Sequence, residues 1–244
     1  MKTILVTGAT GTLGRQVAER LRTEGADVRG LSRRSPSYAV DLRDGKGLDG
    51  VDTIVHCASS PRGGDDRAAG YLIEAAQRAG VPHLVYISIV GVDRVPLGYY
   101  TLKHRVERMI EDSGVGATIQ RTTQFHDLVL SVVSGASKLP VLPVPAGVSV
   151  QPVDSGEVAD RLAALALGAP AGRVPDLGGP EVREFSGLAG AYLRATGRRR
   201  RVVPVRLAGK AYAGFRGGGH LNLEHAVGTV TFEEFLARRH LRAG

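Results

Sequence analysis

Residues 6–14 read "VTGATGTLG" (Val6–Gly14), an apolar strand ending that breaks into glycines and re-emerges as a helical pattern. Gly8, Gly11 and Gly14 recur every third residue between "TILVTG" (3–8) and "LGRQVAERLRTEG" (13–25). At such a corner one glycine permits the tight turn, one lets the backbone approach a pyrophosphate, and one lets the helix pack closely on the strand. Exposed N–H groups and the helix dipole then favour phosphate. The pattern predicts the first βα corner of a dinucleotide-binding fold.

The rest of the chain agrees with that corner. Val- and Ile-rich runs "ADVRGLSR" (26–33), "DTIVHCA" (52–58), "HLVYISIVG" (83–91) and "ATIQRTTQF" (117–125) read as further strands. Between them lie the amphipathic patterns "AAGYLIEAAQRAGV" (68–81) and "YTLKHRVERMIEDSG" (100–114). Buried strands alternating with two-faced helices predict an α/β, Rossmann-type, doubly wound parallel sheet. After about residue 135 the regularity weakens. "SKLPVLPVPAGVSVQPV" (137–153) is too proline-rich for a regular helix. Helices are expected over 154–168, 183–197 and 231–241, the last with Thr231 and Glu234 at capping-box spacing. "RRVVPVRL" (200–207) reads as extended and "GKAYAGFRGGGHLNL" (209–223) as loop-rich. The expected organisation is a nucleotide-binding core over 1–150, with 151–244 completing it and adding a small substrate cap.

Composition narrows the function classes. The chain has 244 residues, 43% hydrophobic and 23% charged, as in ordinary globular proteins. It has no apolar run of about 18 residues, so no membrane-spanning helix is expected. "MKTILVTG" enters a strand at once, leaving no room for a cleavable signal, and the single cysteine, Cys57, suits a reducing cytoplasm. The net charge of +8 sits largely in "SRRSP" and "GRRRRV", and aromatics are only 5%, which argues against nucleic acid as the partner. A small-molecule substrate is expected, and a homodimer stays open.

The second strand ends beside the adenosine ribose in this fold, where an NAD-preferring site carries an acid. Here the residues are Ser32, Arg33 and Arg34, donors suited to a 2′-phosphate. NADP(H) is therefore expected in preference to NAD(H), with solvated surface arginines as the alternative reading.

"TGATGTLG", "VHCASSP", "YISIVGVD", "YYTLKHRVE", "TTQFHD" and "DLGGPEVREF", in this order, resemble the atypical short-chain dehydrogenase/reductases, in the NmrA-like and NAD(P)H-binding branch. The resemblance implies that Gly8, Thr10, Gly11, Thr12, Leu13 and Gly14 line the pyrophosphate, Asp41 and Leu42 meet adenine, and Ala58 and Ser59 lie along the cofactor. It also matches Tyr99 and Lys103 to the family's Tyr-x-x-x-Lys pair. On a helix the two face the same way. Lys103 would then bond the nicotinamide ribose and lower the phenol's pKa, and Tyr99 would donate a proton to a carbonyl oxygen. Glu107, four residues on, offers Lys103 a surface salt bridge instead.

Ser88 is the only hydroxyl in "YISIVGVD" for the family's third catalytic position, and it stands a step or two early. It could equally contact the cofactor or satisfy a backbone group. His126, in "RTTQFHD", titrates in the range for an alternative proton donor; a loop histidine without a chemical role is the other reading. His220 and His225 lack metal-ligand spacing, and no metal is expected. The expected activity is NADPH-dependent reduction of a carbonyl or conjugated double bond in a small, fairly apolar molecule. The alternatives are an NmrA-like NADP(H)-binding redox sensor without turnover, and an NAD(P)-dependent epimerase or other isomerase.

Overall fold

The computed structural model describes residues 1–31, 47–59 and 63–240. In chain order the elements are β1 (Thr3–Thr7), α1 (Thr12–Thr23), β2 (Asp27–Leu31), β3 (Thr53–His56), α2 (Asp65–Arg78), β4 (His83–Ile89), α3 (Gly98–Glu111) and β5 (Ala117–Thr122). Then follow α4 (His126–Ala136), β6 (Leu142–Pro145), β7 (Ser149–Val150), α5 (Ser155–Leu167) and β8 (Gly172–Arg173). The last are β9 (Arg183–Glu184), α6 (Phe185–Ala195), β10 (Val202–Val205), α7 (Lys210–Arg216) and α8 (Phe232–His240).

The chain forms two compact units that interleave along the sequence. The first comprises residues 1–88, 98–121 and 156–175. Its strands order as β2-β1-β3-β4-β5-β8. The pairs β1–β2, β1–β3, β3–β4 and β5–β8 are parallel, as crossover helices require. Strand alternation assigns the helices to two faces. Ile54 packs with Leu72 and Ile73 of α2 and Val106 and Ile110 of α3. Its neighbour Thr53 points the other way, its hydroxyl donating to the Ala166 carbonyl of α5 at 3.2 Å. An ion pair between Arg20 and Asp160 ties α1 to α5 on that second face. The predicted doubly wound sheet is what forms.

The second unit comprises residues 89–97, 122–155 and 176–244. Its core gathers Val129 and Val133 of α4, Leu142 and Val144 of β6, Leu188 and Tyr192 of α6, and Phe232 and Phe235 of α8. The proline-rich stretch is strand, not helix: β6 pairs in parallel with β10, and β7 antiparallel with β9. Pro143 and Pro145 are tolerated because a two-stranded ribbon has only edges. The capping box forms as expected, Thr231 N–H donating to Glu234 at 2.8 Å and Glu234 N–H to the Thr231 hydroxyl at 3.2 Å.

Two expectations need correction. Residues 126–136, expected to begin as a loop, form α4, and 210–216, inside the stretch read as loop-rich, form α7. In α4 the valines at 129 and 133 share a buried face, so packing overrides their modest helix propensity.

Candidate active site

The glycine corner has the geometry its spacing predicts. Gly8 adopts φ 68°, a left-handed conformation, and its N–H bonds the Leu31 carbonyl at 2.8 Å. A Cβ on Gly8 would meet the Ala58 backbone at 2.9 Å, and one on Gly14 would stand 2.3 Å from the Gly8 carbonyl oxygen. Gly11 caps α1 without a side-chain bond, and no acid lies in the first turn of that helix. Thr10, Gly11 and Thr12 are exposed there, while Leu13 turns into the core. The amide-rich, acid-free helix start behind a close backbone approach fits a pyrophosphate. Ser32, Arg33, Arg34, Asp41 and Leu42 lie outside the described residues.

Ser59, two residues beyond Cys57 after β3, meets Tyr99 in the first turn of α3, their hydroxyl oxygens 2.6 Å apart. The Ser59 hydroxyl also lies 3.1 Å from the carboxylate of Asp65, the first residue of α2. Sequence reasoning missed Asp65. An acid opening the helix that follows "CASSP" is a visible signal, but nothing local ties it to Tyr99.

Lys103 is 4% exposed and donates to the Ile87 carbonyl at 2.8 Å. Its ammonium sits 4.5 Å from the centre of the Tyr86 ring, which stacks in turn on His56. Burial lowers the Lys103 pKa to about 8, against the opposing pull of Asp65, Cys57 and Glu107. Tyr99 moves opposite to the expected direction. Burial raises its pKa and Asp65's charge adds to the rise, while a hydrogen bond donated by Ser59 to the phenol oxygen would lower it. The expected acidification by Lys103 is absent because that ammonium is turned to Ile87 and Tyr86.

Glu107 is not Lys103's surface partner. It is buried and holds Arg121 of β5 through two bonds, Nε to Oε1 at 2.8 Å and Nη2 to Oε2 at 2.5 Å. On the other side of the site, Thr7 Oγ1 accepts from the Ala58 N–H at 3.2 Å and lies 2.7 Å from His56 Nδ1. Desolvation first, then Lys103, depresses the His56 pKa to about 3, so the ring is neutral. This chain of contacts fixes the end of β3 against the glycine corner.

The other candidates have different surroundings. Ser88 is buried and its hydroxyl finds no partner among the described residues. His126 opens α4 with no exposure, its Nε2 2.9 Å from the Val230 carbonyl and its ring against Phe232 and Phe235. That is a core histidine of the second unit, not a loop donor. His220 is likewise buried, its Nε2 2.8 Å from the Ser149 carbonyl. Among the described residues no group of His, Cys, Asp or Glu could hold a metal, and no helix is long and apolar enough to cross a membrane.

Sheet order, glycine corner and the Ser59–Tyr99–Lys103 grouping together define a dinucleotide-binding protein of the Rossmann class. The NAD(P)H-binding family matches residues 45–128, a span that holds Ser59, Asp65, Tyr99 and Lys103 but not the glycine corner. The chain is 34% identical over 198 residues to (4-alkanoyl-5-oxo-2,5-dihydrofuran-3-yl)methyl phosphate reductase of Streptomyces griseus, covering 73% of this chain and 68% of that one. It is 28% identical over 145 residues to quinone oxidoreductase 2 of Escherichia coli, covering 52% and 51%. The crystal structure of an NADPH-dependent quinone oxidoreductase from Escherichia coli complexed with NADPH superposes with a TM-score of 0.83 at 21% identity, over 97% of this chain and 99% of that one. The chain thus belongs to the NAD(P)H-binding family of atypical short-chain dehydrogenase/reductases, as its motifs led one to expect. By sequence it matches between 36% and 68% of the length of three curated relatives.

Proposed function

We propose that the protein is an NADPH-dependent oxidoreductase reducing a carbonyl or conjugated double bond of a small, fairly apolar molecule, quinones being the first class to test. The observation that carries this reading is the pairing of the Tyr99 and Ser59 hydroxyls at 2.6 Å, one turn of α3 before the buried Lys103 and in the same compact unit as the glycine corner. A positioned hydroxyl that holds a proton is what stabilises charge developing on an acceptor oxygen. The reductase names of the sequence relatives support the same class.

Gly8, Thr10, Gly11, Thr12, Leu13 and Gly14 would hold the pyrophosphate, and Ala58 and Ser59 the stretch of cofactor beyond it. Arg33 and Arg34, with no acid beside them, support NADP(H) over NAD(H). When bound, the reduced nicotinamide supplies a hydride. Tyr99 carries the proton for the acceptor oxygen. Lys103, with two ammonium protons beyond the one on Ile87, is the cation for the ribose side. Ser59, rather than Ser88, supplies the hydroxyl beside Tyr99, and His126 is left to the core. Within 151–244, α5 and β8 complete the sheet unit, and the segments from 176 onward are the proposed source of substrate specificity.

NADPH consumption against a panel of quinones and enones tests this reading. Tyr99→Phe is expected to cut turnover at least about a hundredfold with NADPH affinity retained. Turnover unchanged in that variant would remove Tyr99 from the chemistry. The raised Tyr99 pKa favours one second reading, an NADP(H)-holding sensor; tight binding without turnover across the panel would select it.

A further inference from the structure

The Ser59–Tyr99 contact is ambiguous by itself, since either oxygen could donate. Asp65 removes the ambiguity. A carboxylate only accepts, so the single Ser59 proton is directed to Asp65 Oδ2, 3.1 Å away. Ser59 then has only a lone pair to offer Tyr99, and the phenol proton must lie on the line between the two hydroxyls. Three separate segments deliver these groups. Ser59 leaves β3, Tyr99 opens α3, and Asp65 opens α2 directly after Gly63 and Gly64, at φ 82° and 83°. Asp65 is largely buried at the first position of its helix.

We propose that Asp65, acting through Ser59, is the positioning residue for Tyr99: it fixes the phenol proton toward Ser59 and retains it there until an acceptor oxygen takes Ser59's place. The proposal rests on the reading of Tyr99 as proton donor. It gives Tyr99 a hydroxyl partner from beyond the end of β3, where Ser88 within β4 offers it none. The charged and titratable groups around Tyr99 are Asp65 of α2, Lys103 of α3 and Tyr86 of β4, and Asp65 is the charge that pushes the phenol upward. Asp65 also heads the charges that pull Lys103 toward its protonated form. Both halves of the Tyr–Lys pair therefore sense the same carboxylate.

The direction of the Ser59 bond makes the proposal testable without turnover. Ring-labelled tyrosine NMR on protein purified free of nucleotide, with Tyr99 assigned by its loss in Tyr99→Phe, reports the phenol's ionisation. Asp65→Asn and Ser59→Ala are each expected to lower the Tyr99 midpoint, by about one pH unit, because each removes support for the protonated phenol. Ser59→Thr should restore it. A rise in Ser59→Ala would mean that Ser59 donates to Tyr99, and would overturn the proposal, as would an unmoved midpoint in Asp65→Asn. The alkaline limb of kcat/KM should follow the NMR midpoints. If the midpoints move and that limb stays, the positioning by Asp65 stands and the donor role of Tyr99 falls.

Discussion

Arg121 of β5 and Glu107 of α3 face each other through two parallel hydrogen bonds, and both side chains are only 3% exposed. The pair joins the sheet to the helix that carries Tyr99 and Lys103. A buried pair is costly to break because the survivor is left charged and unsolvated, at about 3–5 kcal/mol. Glu107→Gln or Arg121→Met should each lose stability on that scale in urea unfolding. The double replacement Glu107→Leu with Arg121→Met should lose much less than the sum. Additive losses would show that the two charges do not depend on each other.

The glycine corner predicts a split between binding and stability. Gly14→Ala places a methyl 2.3 Å from the Gly8 carbonyl, which belongs to rigid backbone, so the turn itself must shift. NADPH affinity measured by calorimetry should fall at least about tenfold, equivalent to ~1.4 kcal/mol. Gly25→Ala makes a control: Gly25 is left-handed, at φ 80°, but nothing lies within 4 Å of the added carbon. It should cost about 1–2 kcal/mol of stability and leave NADPH affinity unchanged. Equal effects on affinity in the two variants would detach the corner from nucleotide binding.

What could be read in advance was local. Three glycines between a strand and a helix are a short-range pattern, and so is Thr231 capping with Glu234. The site's chemistry is non-local. Glu107 reads as a surface partner for Lys103 at helical spacing, and only β5, bringing Arg121 beneath α3, turns it inward. Ser59, Asp65 and Tyr99 are separated by loops whose path no periodicity encodes. The helix over 126–136 escapes notice because its valines suit a strand as well as a helix. His126 then looks like a loop donor, whereas the aromatic rings of α8, more than 100 residues on, enclose it.

Two buried imidazoles make stability fall in acid. Burial holds the His56 pKa at about 3 and the His83 pKa at about 4, with Lys103 and Lys2 adding to the respective shifts. Unfolded histidine titrates at about 6.5. Below that pH the unfolded chain takes protons that the folded one refuses, so this part of the stability is full above about 6.5 and is lost as pH drops toward the folded values. His83 Nε2 lies 2.8 Å from the Thr118 hydroxyl, so His83→Asn keeps a polar group in place. The slope of unfolding free energy between about pH 6.5 and 4 should be shallower in that variant. An unchanged slope would place the proton uptake elsewhere.

Lys103 makes the alkaline prediction. Its folded pKa of about 8 lies below the ~10.4 of an unfolded lysine, so the sign resembles that of the histidines at higher pH. Below about 8 both states carry the charge, and folding bears the full cost of burying it. Between about 8 and ~10.4 the unfolded chain keeps a proton that the folded protein has given up, and this term raises stability with pH. Other groups oppose it in the same window. Burial pushes the Cys57 thiol up to about 12 and raises Tyr99 and Tyr86, so each favours the folded state less as pH climbs. The total curve therefore hides Lys103, and the difference from Lys103→Met isolates it. Wild-type stability should gain on that variant by ~1 kcal/mol or more as pH rises through this window in urea titrations. A flat difference would mean that the lysine stays charged in the folded protein, held by Asp65 and the Tyr86 ring more firmly than burial can oppose.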